Sequence, residues 1–271
     1  MQFRDVLLLS DMDNTLLDSG KNISEENQRA IQRFCEAGGR FAIVTGRIPS
    51  SVYRYNEYIP FDTPMVSHNG SAIYDFKKEK YLWSENVDRT AVYDLMDKVY
   101  NAFPEVAFEL YVLEDETVYC CYDNAQLQKH INFEKFTIQT VDYHAFTKDL
   151  VKVIMIAEPE IIDEIFSFVK KQPEYSMFSF VHSDRQFCEI LNPKADKGTG
   201  LQKLGEILHV PTEKIFAIGD YYNDIPMLRA AGTGIAVQNA PEDVKKEADV
   251  ILSETCDQSA VAAAICYIEK L

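Results

Sequence analysis

With 271 residues and 46% hydrophobic content, the chain can bury a substantial core in one large or two moderate domains. Charged residues at 26% and aromatics at 12% exclude a disordered or fibrous chain. The net charge of −16 argues against an electrostatic grip on nucleic acid or on an anionic membrane, so an anionic substrate would need local positive charge from a metal ion and a lysine. The six cysteines form no Cys-x-x-Cys pair and have no histidine at zinc spacing, and read as buried small hydrophobes in a reducing compartment. No run approaches the ~18 apolar residues of a membrane span. The first apolar run is too short for a signal peptide, so a cytoplasmic protein is expected.

In chain order, Val6 to Ser10 reads as a strand buried on both faces. Ser24 caps a helix that holds Glu25 and Glu26 in its first turn and stops at Gly38-Gly39. Phe41 to Val44 is a second strand, ending at Thr45-Gly46-Arg47. Pro49 opens a helix, and Met65 to Ser67 is a third strand ending at His68-Asn69-Gly70. Strands separated by helices predict right-handed crossovers and a parallel sheet. From about residue 82 to 191 the pattern changes to amphipathic helices (89–102, 159–171) and alternating strands (107–112, 117–122, 187–191). The α/β rhythm then resumes with a helix from Lys197, a strand at 215–218 ending at Gly219-Asp220, a helix at 225–231, a strand at 234–237, a helix at 241–247, a strand at 250–252 and an Ala-rich helix to Leu271. The expected fold is α/β: a doubly wound, mostly parallel, Rossmann-like core (1–81 with 192–271) and an inserted α+β domain (82–191).

Open parallel sheets bind ligands beyond the carboxyl ends of their strands, where strand order reverses. Four polar clusters fall at such positions: Asp11-Met12-Asp13-Asn14-Thr15, Thr45-Gly46, Lys197 at a helix start, and Gly219-Asp220-Tyr221-Tyr222-Asn223-Asp224. Competing readings fit less well. A calcium loop would need a ligand where Thr15 stands and Gly where Leu16 stands, and Gly198-Thr199-Gly200 matches neither a dinucleotide fingerprint nor a phosphate-binding P-loop. No Ser or Cys sits in a nucleophile elbow, and the five histidines are scattered, with His68 alone at a strand end.

In this order the clusters resemble the four motifs of the haloacid dehalogenase superfamily of phosphotransfer enzymes. Asn69-Gly70 and the long insertion resemble its Cof-like branch, which carries a large C2-type cap. The resemblance implies a Mg²⁺-dependent phosphatase acting on a small phosphomonoester, such as a sugar, nucleotide or cofactor phosphate. It implies that Asp11 is the nucleophile that forms an aspartyl-phosphate and that Asp13 is the general acid/base. Asp11, Asp220 and the Asp13 backbone carbonyl would hold the metal. Thr45, the amides of Met12 and Gly46, Lys197 and Asn223 would surround the phosphoryl oxygens. Carboxylate crowding is expected to raise the Asp13 pKa, and the cap is expected to close over the crevice, exclude water and choose the leaving group. Roles for Asp224 and His68 stay open. Asn14 replaces the usual Gly, a substitution suited to left-handed backbone, and Tyr221-Tyr222 replace smaller or acidic residues. The rivals are a phosphomannomutase-like sugar phosphomutase and a non-catalytic regulator that binds a phosphorylated metabolite. The expected partners are that metabolite alone, without nucleic acid or membrane, in a monomer or small homo-oligomer.

Overall fold

A computed structural model describes residues 3–115, 117–135 and 137–271. Apolar runs become buried strands and capped amphipathic segments become helices. The first region comprises β1 (Leu7–Asp11), α1 (Glu25–Glu36), β2 (Arg40–Val44), the short α2 (Pro49–Tyr53), β3 (Met65–Ser67), β4 (Ala72–Asp75) and β5 (Lys80–Ser84). The middle comprises α3 (Arg89–Ala102), β6 (Ala107–Tyr111), β7 (Thr117–Cys121), α4 (Ala125–Glu134), β8 (Thr137–Thr140), β9 (Lys152–Ile156), α5 (Pro159–Val169), β10 (Ser179–Asp184) and β11 (Phe187–Leu191). The last region holds α6 (Lys197–Leu208), β12 (Ile215–Gly219), α7 (Ile225–Ala230), β13 (Thr233–Ala236), α8 (Glu242–Lys245), β14 (Val250–Ile251) and α9 (Ala260–Ile268).

The chain divides into two compact units. One runs to Trp83 and resumes at Asp196, and the other is Ser84–Ala195. In the first unit, eight strands form one sheet in the order β14-β13-β12-β1-β2-β3-β4-β5. Pairing is parallel from β14 through β3 and turns antiparallel at β4. All five residues of β1 are buried, as a central strand requires. From β1 the chain winds outward through β2 and β3, then returns to the other side of β1 with β12. The reversal of strand order therefore lies at the carboxyl end of β1, where such sheets leave a crevice.

Helix α1 follows its sequence signals closely. The Ser24 hydroxyl accepts the Asn27 amide at 3.2 Å, Ile31 and Phe34 are buried, and Gly38 takes φ +97° after the last turn. Its partner is α9: the Ala262 amide donates to Asn27 Oδ1 at 2.9 Å, joining the start of the chain to its end.

The second unit has a six-stranded sheet in the order β10-β11-β9-β6-β7-β8, antiparallel except for β7 with β8. Phe108, Leu110, Val153, Met155 and Ile190 share an apolar core with Leu95 and Val99 of α3 and Ile162 and Ile165 of α5. Side chains alternate along strands, so Glu109, Tyr111, Lys152 and Glu189 occupy the opposite face. The expectation that all cysteines are buried fails at Cys266, which is exposed on α9, and Cys35 is half-buried. Among the described residues, no helix is long and apolar enough to cross a membrane.

Candidate active site

Asp11 is the last residue of β1, and the parallel register that sets Ser10 opposite Ile218 brings Asp220 to the same end of the sheet. Asp11, Asp220 and Asp224 are all buried, and each offers an oxygen within 4.8 Å of the others. The first and last regions of the chain therefore meet in one acidic cluster.

Lys197 lies inside it. Its Nζ donates to Asp11 Oδ1 and to Asp224 Oδ1, each at 2.5 Å, and the side chain is 2% exposed. Helix α6 places it there: Asp196 caps the helix by accepting the Thr199 amide at 2.7 Å, which makes Lys197 the first helical residue. Asp224 has a positioning geometry. One oxygen holds Lys197 while the other accepts the amides of Asp220 at 2.9 Å and Tyr221 at 3.0 Å. Thr15 Oγ1 donates to Asp220 Oδ1 at 3.1 Å. The turn that delivers Thr15 is closed by the buried Met12, whose carbonyl accepts the amides of Leu16 and Leu17 at 3.2 and 2.8 Å. Asn14 in that turn takes φ +58°, the left-handed conformation that suits Asn in place of Gly.

Three carboxylates share one ammonium, so like-charge repulsion remains. Burial raises the Asp11 carboxyl well above the carboxylate range; Lys197 opposes the rise, and Asp224 and Asp220 add to it. Burial and then Asp224 push Asp220 up to about 7, against Lys197 and the Thr15 hydroxyl. For Lys197, burial favours the neutral amine, but Asp11 and Asp224 outweigh it and hold the ammonium above its ordinary range. This donor set suits a hard divalent cation: three buried carboxylates converge on one ammonium, which leaves them two positive charges short.

Asp13 departs from expectation. Its neighbours are cations. Arg47 Nε donates to Oδ2 and a terminal Arg47 nitrogen to Oδ1, both at 2.8 Å, and Lys21 Nζ reaches Oδ1 at 2.9 Å. Burial alone would raise the Asp13 carboxyl, but the Arg47 hydrogen bonds and charge, with Lys21, hold it well below the usual range. The expected upward shift from carboxylate crowding is therefore reversed, because the crowding falls on Asp11 and Asp220.

Thr45 and Gly46 follow β2, whose Val44 pairs with Asp11, and the buried Thr45 hydroxyl accepts the Arg47 amide at 3.2 Å. Asn223 donates through Nδ2 to Asn69 Oδ1 at 3.2 Å. His68 is fully buried, with Nε2 3.4 Å from the Tyr81 hydroxyl. The Tyr221 and Tyr222 rings are exposed and lie edge-to-face at 5.0 Å, so their bulk is accommodated without a core site. Lys21 was not singled out from the sequence, and Thr15 and Arg47 were named there as cluster members without a role. A role for Arg47 could have been read, since it adjoins Thr45-Gly46 and is a fixed cation at the end of a strand in a strongly acidic chain.

The sequence profile of the haloacid dehalogenase-like hydrolases matches residues 8–265. The chain belongs to that family. It is 28% identical to phosphatase YwpJ of Bacillus subtilis, over 94% of this chain and 97% of that protein. It is also 28% identical to the 5-amino-6-(5-phospho-D-ribitylamino)uracil phosphatase YitU of the same organism, over 92% of each chain. A haloacid dehalogenase-like hydrolase from Bacteroides thetaiotaomicron superposes with a TM-score of 0.82 at 26% identity, covering 97% of this chain and 99% of that one. The mixed α/β fold with a largely parallel core sheet is thus that of this family, and the chain is a hydrolase of the phosphatase type.

Proposed function

We propose that this phosphatase hydrolyses small phosphomonoesters through Asp11, with Mg²⁺ held by the carboxylates of Asp11 and Asp220 and by the backbone carbonyl of Asp13. One observation carries the reading: three buried carboxylates from opposite ends of the chain converge around a single lysine. A structural cluster would be expected to balance its charges, whereas a phosphoryl-transfer site leaves room for a cation and a dianionic substrate. When bound, Mg²⁺ would supply positive charge that offsets the phosphoryl oxygens.

The residues then divide the work. The Asp11 carboxylate attacks phosphorus, the ester P–O bond breaks, and Asp13 gives a proton to the departing alkoxide. Water next attacks the aspartyl-phosphate, Asp13 takes its proton, and inorganic phosphate leaves with Asp11 regenerated. Thr45, Lys197, Asn223 and the amides of Met12 and Gly46 hold the phosphoryl oxygens. Asp224 keeps Lys197 extended toward Asp11. Arg47 and Lys21 favour the Asp13 carboxylate, the form needed in the second half; the first half requires a proton on Asp13 that these cations oppose.

The inserted unit, Ser84–Ala195, is proposed to set leaving-group selectivity, with sugar, nucleotide or cofactor phosphates as the substrate class. The relative named for a phosphoribitylamino-uracil supports including cofactor precursors. The test is inorganic phosphate release over a panel of sugar, nucleotide and vitamin phosphates with Mg²⁺. Turnover of several members is expected. Measurable binding with no release across the whole panel would overturn the reading.

A further inference from the structure

Three successive residues after β3 have positive φ: His68 at +50°, Asn69 at +54° and Gly70 at +100°. Left-handed backbone is uncommon for side chains other than glycine, and three in a row persist only where the surroundings fix them. The surroundings are three of the four polar clusters. The Asn69 amide donates to the Thr45 carbonyl at 3.0 Å. The Asn69 side chain covers Gly46 so closely that a Cβ there would lie 2.8 Å from Asn69 Nδ2. Its Oδ1 accepts from Asn223 Nδ2 at 3.2 Å. Gly70 presses against the start of α6, where a Cβ would fall 1.9 Å from the Asp196 carbonyl oxygen and 2.7 Å from the Lys197 nitrogen. Asn69 is 1% exposed, which fits a role played through its neighbours.

We propose that Asn69, itself held against the Thr45–Gly46 turn, is a positioning residue for the phosphoryl site that acts by orienting the Asn223 amide. This rests on the phosphatase reading above. An amide held by one hydrogen bond can turn its remaining N–H toward only a limited set of directions. With Oδ1 of Asn69 as the anchor, the second Nδ2 hydrogen of Asn223 is left for a phosphoryl oxygen. Without that anchor, Asn223 regains rotamer freedom and the donor is no longer aimed at developing charge.

The test is a double-mutant cycle on p-nitrophenyl phosphate hydrolysis with Mg²⁺. Asn69→Gly keeps the left-handed backbone accessible while removing the amide. Its kcat/KM is expected to fall about 10- to 100-fold, mostly in kcat, as for a misaligned transition-state donor. Asn223→Ala should fall at least as far, and the double variant no more than about 2-fold below Asn223→Ala alone. Losses that multiply would overturn the proposal, since they would mean that Asn69 acts elsewhere. If Asn69→Gly does not fold, Asn69→Asp retains the accepting oxygen and should stay within about 5-fold of wild type, the worth of one ordinary hydrogen bond. A drop as deep as that of Asn223→Ala would then overturn it. Absence of hydrolysis by the wild type would instead count against the phosphatase reading, so the two failures are distinguishable.

Discussion

Both units bury charged side chains, and they do so in opposite ways. On the sheet face of the second unit, each buried carboxylate has a partner of its own. Lys152 Nζ lies 3.0 Å from Glu189 Oε2, while Glu109 accepts the Tyr111 hydroxyl at 2.6 Å and pairs with His130 Nδ1 at 3.0 Å. Strand register makes this possible: Glu109 and Glu189 both pair with Ile154, so they flank it across β9, and Lys152 pairs with Tyr111. At the strand ends of the first unit, three carboxylates meet one lysine and remain unbalanced. Matched burial can serve structure alone. Unmatched burial costs stability and persists where function supplies the missing charge.

The sharpest way to break this contrast is Asp11→Asn. Loss of the nucleophile should cut phosphate release by about 10⁴-fold or more, read by steady-state assay; wild-type rates would remove Asp11 from the chemistry. Next comes Lys197→Met, which should lower kcat/KM by roughly 10²- to 10³-fold through the lost phosphoryl contact. Its counterpart in the second unit, Lys152→Met, leaves Glu189 buried without its cation and should cost about 3–5 kcal/mol in a denaturant titration. An unchanged denaturation midpoint for Lys152→Met would show that the Lys152–Glu189 pair is not the matched unit described.

A smaller effect concerns the missing charge directly. Mg²⁺ at a hundredfold excess over its Kd should stabilise chelator-treated protein by about 2.7 kcal/mol, a rise in Tm of roughly 5–10 °C. Asp220→Asn should abolish that rise by calorimetry, and an undiminished rise would place the cation elsewhere. The smallest effect is the pH dependence of the metal-free protein. Folding raises Asp220 to about 7, so between pH 4 and 7 the native state holds a proton that the unfolded chain has released. Stability from this group is therefore present at low pH and lost as pH rises through 7. The Tm at pH 5 should exceed that at pH 8, by less in Asp220→Asn. An equal difference in both proteins would mean that Asp220 is not the group under strain.

Much of the first unit was legible in the sequence because its signals are local. A buried run followed by Asp11, Ser24 as a cap, Gly38 as a stop and Lys197 at a helix start can each be read within a few residues. The convergence of Asp11 with Asp220 was legible only as a consequence of strand order. What stayed hidden was pairing across the fold. The Asp13–Arg47 contact spans 34 residues, and although Arg47 adjoins Thr45-Gly46, no local signal says which carboxylate it meets. In the second unit, β8 is a short, wholly exposed strand whose single apolar residue, Ile138, gives no alternation to read, whereas β9, an apolar run flanked by Asp149 and Glu158, has a readable pattern absent from the strands expected above. Strands β4 and β5 were not expected, because the charged Lys77-Lys78-Glu79 turn between them reads as loop.

The most direct test of the central claim is phosphate release by the wild-type protein after exhaustive chelation, repeated after Mg²⁺ is restored, alongside Asp11→Asn and Asp220→Asn. The expected result is activity that vanishes with chelation, returns with Mg²⁺ in the wild type, and does not return in either variant. Full activity in chelator, or in Asp220→Asn with Mg²⁺, would contradict a cation clasped between the two ends of the chain.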